Sequence, residues 1–310
     1  MGGQPYDQSM LSDLQLHSII SQTFMSLRDA ILKTLSYSDI FDHPLTLEEV
    51  HRFLVSAASR AEVAACLEQI QGIGQMEGYY FLDGRDALVQ IRKRREAFSL
   101  HAYQRAHWYG DLLGKLPFVR MVALTGSLAM RNCDQTADYD YMLVTVRGRV
   151  WTARIFALLL NKFASLFGET LCPNLIVSEA TLEWKQHNLY IAREIAQMTP
   201  IRGTRLFCDL RVVNRWVEEY LPNWKVDQTI KLDESRSLGQ RMFEFLLSGG
   251  LGDRLESWEM ERKIRKFSGQ AGFGIETNFS ADVCQGNFDH HGLWTLQRYE
   301  ERLRKLSLSA

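Results

Sequence analysis

The chain has 310 residues, 46% hydrophobic and 24% charged, enough for two or three cored domains at roughly 100–200 residues each. A net charge of −1 gives no global field that would mark a nucleic-acid or membrane-surface protein, so any such role needs a local patch. The five cysteines (Cys66, Cys133, Cys172, Cys208 and Cys284) form no CxxC pair, which fits reduced thiols in a cytoplasmic protein rather than a disulfide framework.

The N-terminus lacks a basic segment followed by an apolar one, so no signal peptide is expected, and Asp7 spoils the myristoylation pattern at Gly2. Residues 1–24 read as a polar extension that turns helical near "LQLHSIISQTFMSL". Residues 25–84 read as three helices and a hairpin. The second helix opens with Thr46 and Glu49, the third with Ser59 and Glu62, each a capping box, and the third is expected to run to the glycines at 72 and 74. The hairpin turns at Glu77-Gly78. Helix, helix, helix, hairpin is the order of a winged helix. Its third helix carries one base, Arg60, against Glu62 and Glu68, poor equipment for phosphate contacts, which argues against DNA binding.

A connecting helix is expected over 85–116, with the basic run Arg92, Lys93, Arg94, Arg95. Residues 117–222 then alternate strand and helix: "PFVRMVAL", a Gly-Ser turn, "DYDYMLVTV", a turn at Arg147-Gly148-Arg149, and a buried helix over Val150–Gly168. That helix is too interrupted by Arg154 and Lys162 to span a bilayer. The strand "LCPNLIVSE" and two helices, ending before Pro200 and near Pro222, complete the segment. Residues 223–310 read as mostly helical around a glycine-rich break.

The chemistry concentrates in "ALTGSLAMRNCDQTADYDYMLVT" (Ala123–Thr145). Side chains alternate along a strand, so Asp138 and Asp140 share one face and Tyr139 and Tyr141 the other. Two carboxylates about 7 Å apart repel unless a cation joins them, and hard oxygen donors suit Mg²⁺, with Mn²⁺ as a substitute. Gly126 lets backbone approach a ligand, and Ser127 begins a helix whose amides and dipole favour phosphate. The pieces suit a nucleoside triphosphate with its metal.

These residues resemble the signature of the DNA polymerase β-like nucleotidyltransferase superfamily: apolar strand, Gly-Ser, a spacer of about ten, Asp-x-Asp, apolar strand. The wider arrangement also resembles a bacterial group of nucleotidyltransferase-domain proteins with an N-terminal winged-helix-like unit. The features shared with that group appear as "DIFDHPLTLEEVHRFL", "GYYFLDGRDALVQIRKRRE", "FVRMVALTGSLA", "LYIAREIAQMTPI" and "CQGNFDHHGLWTLQRYEERL". The resemblance implies an α/β (α+β) protein, with a small mixed-sheet nucleotidyltransferase core between a winged-helix-like domain and C-terminal helices. It also implies that Gly126 and Ser127 bind nucleotide, that Asp138 and Asp140 bind Mg²⁺ as catalytic residues, and that an NMP moves from an NTP to a hydroxyl or phosphate acceptor. That acceptor is a small molecule, a protein or an RNA.

In that superfamily a third carboxylate commonly sits on a later strand, and here the matching position holds Asn174, which supplies neither charge nor a base. Three routes stay open: another carboxylate acts, with Glu179 and Asp209 as candidates; two aspartates suffice for slow transfer; or nucleotide binds without turnover in a regulatory protein that interacts through its winged helix. Arg131, Arg147 and Arg149 flank the motif and are candidates to steady a triphosphate. "DHHG" (Asp289–Gly292) lacks the further Asp and His clusters of a phosphoesterase and reads as packing, while "SGGLGDRLE" and "SGQAGFGIE" are weak phosphate loops.

Overall fold

A computed structural model describes residues 26–134, 138–225 and 236–308. The helix expected near residues 14–27 thus falls largely outside the described residues. The chain divides into two compact units, residues 1–89 with 221–225 and 298–310, and residues 90–220 with 226–297.

In the first unit, helix α1 (26–39) precedes a short strand β1 (Leu45–Thr46), α2 (Leu47–Arg52), α3 (Arg60–Leu67), β2 (Ile73–Met76) and β3 (Tyr79–Leu82). Both capping boxes form: Thr46 and Glu49 satisfy each other's backbone amides, as do Ser59 and Glu62. The strands make a small antiparallel sheet, β1-β3-β2, and Glu77 and Gly78 both take positive φ, as a tight hairpin turn requires. Helix α3 stops at Leu67, short of the expected glycines. Gly74 belongs instead to β2, where a Cβ would lie 2.3 Å from the Phe81 ring; the ring packs across the space a side chain would fill. The core gathers Ile31, Leu35, Leu45, Val50, Leu54, Val63 and Leu67. Asp39 binds Arg85 and Arg302 together, tying α1 to the C-terminal residues.

The second unit is a six-stranded mixed sheet with helices on its faces. Its elements begin with α4 (Ala87–Gly114), β4 (Val119–Leu124), α5 (Gly126–Ala129), β5 (Tyr139–Thr145), α6 (Val150–Ser165), β6 (Leu171–Ser178), α7 (Leu189–Gln197) and β7 (Thr199–Arg202). They continue with α8 (Thr204–Val213), α9 (Val217–Tyr220), α10 (Leu238–Leu246), α11 (Gly250–Phe267), β8 (Thr277–Phe279) and β9 (Val283–Gly286); α12 (His291–Lys305) begins in this unit, and its residues from 298 on belong to the first. Strand order is β7-β4-β5-β6-β9-β8; β5 and β6 pair in parallel and the other neighbours antiparallel.

One sheet face carries Val119, Val122, Leu124, Tyr139, Tyr141, Leu143 and Ile176 into a core with α4 and α6. The Tyr141 hydroxyl donates to the Ala106 carbonyl at 2.7 Å, and Gly110 admits Ile201 where a Cβ would sit at 2.3 Å. The opposite face carries Asp140 beside the buried Met121, Ala123, Met142 and Val144, and Gly203 at the start of α8 lies against Met121.

The described part of residues 223–310 is mostly helical, as expected, with β8 and β9 added to extend the sheet along β6; strands of three and four residues carry too little pattern to read. Two expectations change. The last helix before Pro222 breaks at Asn214, whose fully buried amide accepts from the Trp184 N–H and donates to the Leu182 and Leu210 carbonyls. Helix α6 is buried on one side only: Leu159, Phe163, Leu166 and Phe167 are exposed. All five cysteines are free thiols, and no helix among the described residues is long and apolar enough to cross a membrane.

Candidate functional site

Strand β4 ends at Leu124, opposite Tyr141, and the Thr125 N–H donates to the Asp140 carbonyl at 2.9 Å. That bond draws the Gly-Ser turn onto the start of β5. Gly126 turns with φ of +65°, and a Cβ there would stand 2.2 Å from an Asp140 carboxylate oxygen. Only glycine lets the two motifs meet. Asp140 is half-buried and Asp138 exposed, while Tyr139 and Tyr141 face the opposite core. Ser127 is exposed at the mouth of the turn. Helix α5 is a single turn of four residues, so it lacks the dipole the sequence suggested; what remains for an anion is a first turn that Thr125 does not cap.

Asn174 reaches the pair through a bulge. Asp140 pairs with Cys172 and Met142 with Leu175, so β6 spends one more residue than β5. Pro173, which has no N–H to give to the ladder, sits in that irregularity. The Asn174 amide donates to Asp140 Oδ1 at 2.6 Å and its carbonyl accepts from the Cys172 thiol at 2.8 Å. Burial, with the charges of Asp140 and Asp138, pushes the Cys172 thiol up to about 12, so it stands as a neutral donor rather than a thiolate.

The residue that sequence reasoning missed is Glu194, on the last turns of α7. The strand after this helix starts at Thr199, opposite Leu124, which brings the end of α7 to the Gly-Ser end of β4. Burial and the charge of Asp140 push the Glu194 carboxyl up to about 7, although Gln197 donates to it at 2.6 Å. Burial likewise drives Asp140 up to about 6, with Asp138 adding repulsion and the Asn174 amide pulling the other way. Among the described residues no Lys or Arg pairs with Asp138, Asp140 or Glu194. One signal was present in sequence: Glu194 is a charge set between Ile191 and Ile195, both buried on the apolar face of α7.

The other candidates lie elsewhere. The Glu179 N–H bonds the Thr145 carbonyl, five residues along β5 from Asp140 and roughly 17 Å away at 3.3 Å per residue. Arg147 and Arg149 sit beyond the same far end, where Arg149 pairs with Asp253 at 2.7 Å and covers the Phe118 ring. They do not flank the aspartates. Arg131 lies over the Tyr103 ring at 5.6 Å, and Asp209 is exposed on α8. The basic run on α4 divides: Arg92 is buried against Glu96, and Arg95 donates to Asn132. The His291 ring accepts from Trp294, and the His290 ring packs beside Gly272.

No group of three or more His, Cys, Asp or Glu among the described residues is placed to hold a metal ion. Two aspartates are nevertheless what Mg²⁺ ordinarily takes from a protein when substrate phosphates and water complete its shell. The donor set is therefore too small for an all-protein cage, and any metal held here would need further ligands from outside the protein. No family model, no curated protein and no solved structure matches this chain.

Proposed function

We propose that the second unit is an Mg²⁺-dependent nucleotidyltransferase domain of the polymerase β-like kind, moving an NMP from an NTP to a hydroxyl or phosphate acceptor. The observation that carries this reading is the packing of Gly126 onto Asp140, which makes the Gly-Ser turn and the Asp pair one site. Asp138 and Asp140 are the residues that hold the cation, Mg²⁺ or Mn²⁺, which neutralises phosphate charge when bound. Gly126 and Ser127 face the triphosphate at the mouth of the turn. Two half-buried carboxyls raised toward neutrality, with no Lys or Arg partner among the described residues, are in the condition that a bound dication relieves. Glu194 fills the role that Asn174 does not: a carboxyl titrating near 7 takes the proton of the acceptor hydroxyl as its oxygen attacks the α-phosphorus and pyrophosphate leaves.

The Asn174 amide on Asp140 supports a second reading, a protein that binds the nucleotide and does not turn it over, with the helical first unit as its interaction module. Incubation with each α-labelled NTP, Mg²⁺ and a cell extract decides between them. Transfer lost in Asp138→Ala/Asp140→Ala supports the enzyme; label still transferred by that variant sinks the site assignment. Saturable Mg·NTP binding without transfer under any condition favours the second reading.

A further inference from the structure

Helix α10 is attached inside out. Its buried residues are polar: Gln240 donates to the Leu116 and Val119 carbonyls at 3.0 and 3.1 Å, and Glu244 accepts from the Phe118 N–H and from Arg120. Its apolar residues point away from the protein. Leu238 is 83% and Phe245 80% exposed, with Met242 and Leu246 on the same stripe at helical spacing. Helix α6 does the same on its outer side with Leu159, Phe163 and Leu166, the last 77% exposed. The Phe156 and Phe243 rings, 6.3 Å apart and edge to face, join the two stripes into one surface.

We infer that this α6–α10 face is the interface on which a second copy of the chain docks. Its open area is on the order of 1,000 Å², taking about 200 Å² for each whole ring and a comparable share for the aliphatic side chains. A typical monomer's largest apolar patch is about 300–600 Å², whereas each partner in a standard interface gives about 800 Å². The composition fits a homodimer core, being aromatic, Leu- and Met-rich and nearly free of charge: α6 beyond Ile155 presents Lys162 alone, and α10 presents Arg241 alone. A lipid surface calls for a polar face rich in Lys and Arg around such a stripe, and two cations do not provide it. An apolar stripe is also self-complementary, as a two-fold interface demands.

Sedimentation velocity of the full chain from 1 to 50 µM tests this. The expected result is a dimer, and Phe245→Asp or Leu166→Asp should each raise its dissociation constant at least 100-fold with the far-UV circular dichroism unchanged. Both positions are open in the single chain, so neither change removes core packing. As a measurement free of variants, amide exchange of the wild type should show protection over 155–166 and 238–246 that fades on dilution. A folded wild type that stays monomeric throughout, a dimer that survives both substitutions, or a monomer that floats with anionic vesicles overturns the proposal.

Discussion

The two ends of strand β5 hold carboxylates in opposite conditions. At the far end, Glu244 is kept below the usual carboxylate range by Arg120, the Phe118 amide and Arg236, against the opposing effect of burial. Glu256 there accepts the Trp151 and Thr152 N–H groups and so caps the start of α6. At the near end, Asp140 and Glu194 repel each other, receive amide donors from Asn174 and Gln197, and are raised toward neutrality. The far-end carboxylates are placed with partners that stabilise their charge, and the near-end pair is not.

Each end can be perturbed separately, and the results should diverge. The largest effect falls on the near end: Asp138→Ala/Asp140→Ala should lower labelled NMP transfer by about 10³-fold or more while leaving the chain folded, since a catalytic metal supplies several kcal/mol to the barrier. At the far end, Glu256→Ala should leave two buried amides unpaired and lower the unfolding free energy by about 2–4 kcal/mol in urea titrations, without touching Mg·NTP binding. Equal loss of nucleotide binding in that variant would erase the distinction between the ends.

Gly126→Ala should cost about 1–3 kcal/mol, because the methyl meets the Asp140 carboxylate and φ is positive, and it should also abolish Mg·NTP binding measured by calorimetry. Glu194→Gln should do the reverse for stability. The fold raises this carboxyl from its ordinary 4.5 to about 7, so the folded chain holds the proton more tightly than the unfolded one. The stabilisation from that proton is complete below pH 4.5 and is lost as pH rises through 7. The variant lacks this titration, so it should match the wild type near pH 4 and exceed it by about 1–3 kcal/mol at pH 8. Melting curves across that window check the sign; a wild type more stable at pH 8 would mean that Glu194 is already compensated. The smallest effect belongs to Asn174→Asp, which places a third carboxyl against Asp140: about 1 kcal/mol less stable without metal, and stabilised by millimolar Mg²⁺ where the wild type without nucleotide is not.

Local signals read well wherever the cause is local. Both capping boxes, the Glu77-Gly78 turn, the long α4 helix and the alternation that sends Tyr139 and Tyr141 away from Asp138 and Asp140 follow from a few adjacent residues. Elements that exist only through their neighbours did not read. Strands β8 and β9 are held by pairing with β6, and α8 ends at Asn214 because a buried amide there answers backbone groups some thirty residues earlier. Arg147 and Arg149 lie away from the aspartates for a geometric reason: the five residues from Asp140 to Thr145 are a short step in sequence and roughly 17 Å along β5.

The sequence by itself determined a Gly-Ser turn, a pair of aspartates on one strand face and an uncharged Asn174 on the strand that follows. These depend on side-chain period and residue chemistry, which need no knowledge of the rest of the chain. Tertiary structure decided that Gly126 and Asp140 touch, that a bulge at Pro173 turns Asn174 onto Asp140, and that Glu194 arrives from a helix more than fifty residues away. It also decided which carboxylates are compensated, because burial and partnership belong to the packed chain and not to any segment of it.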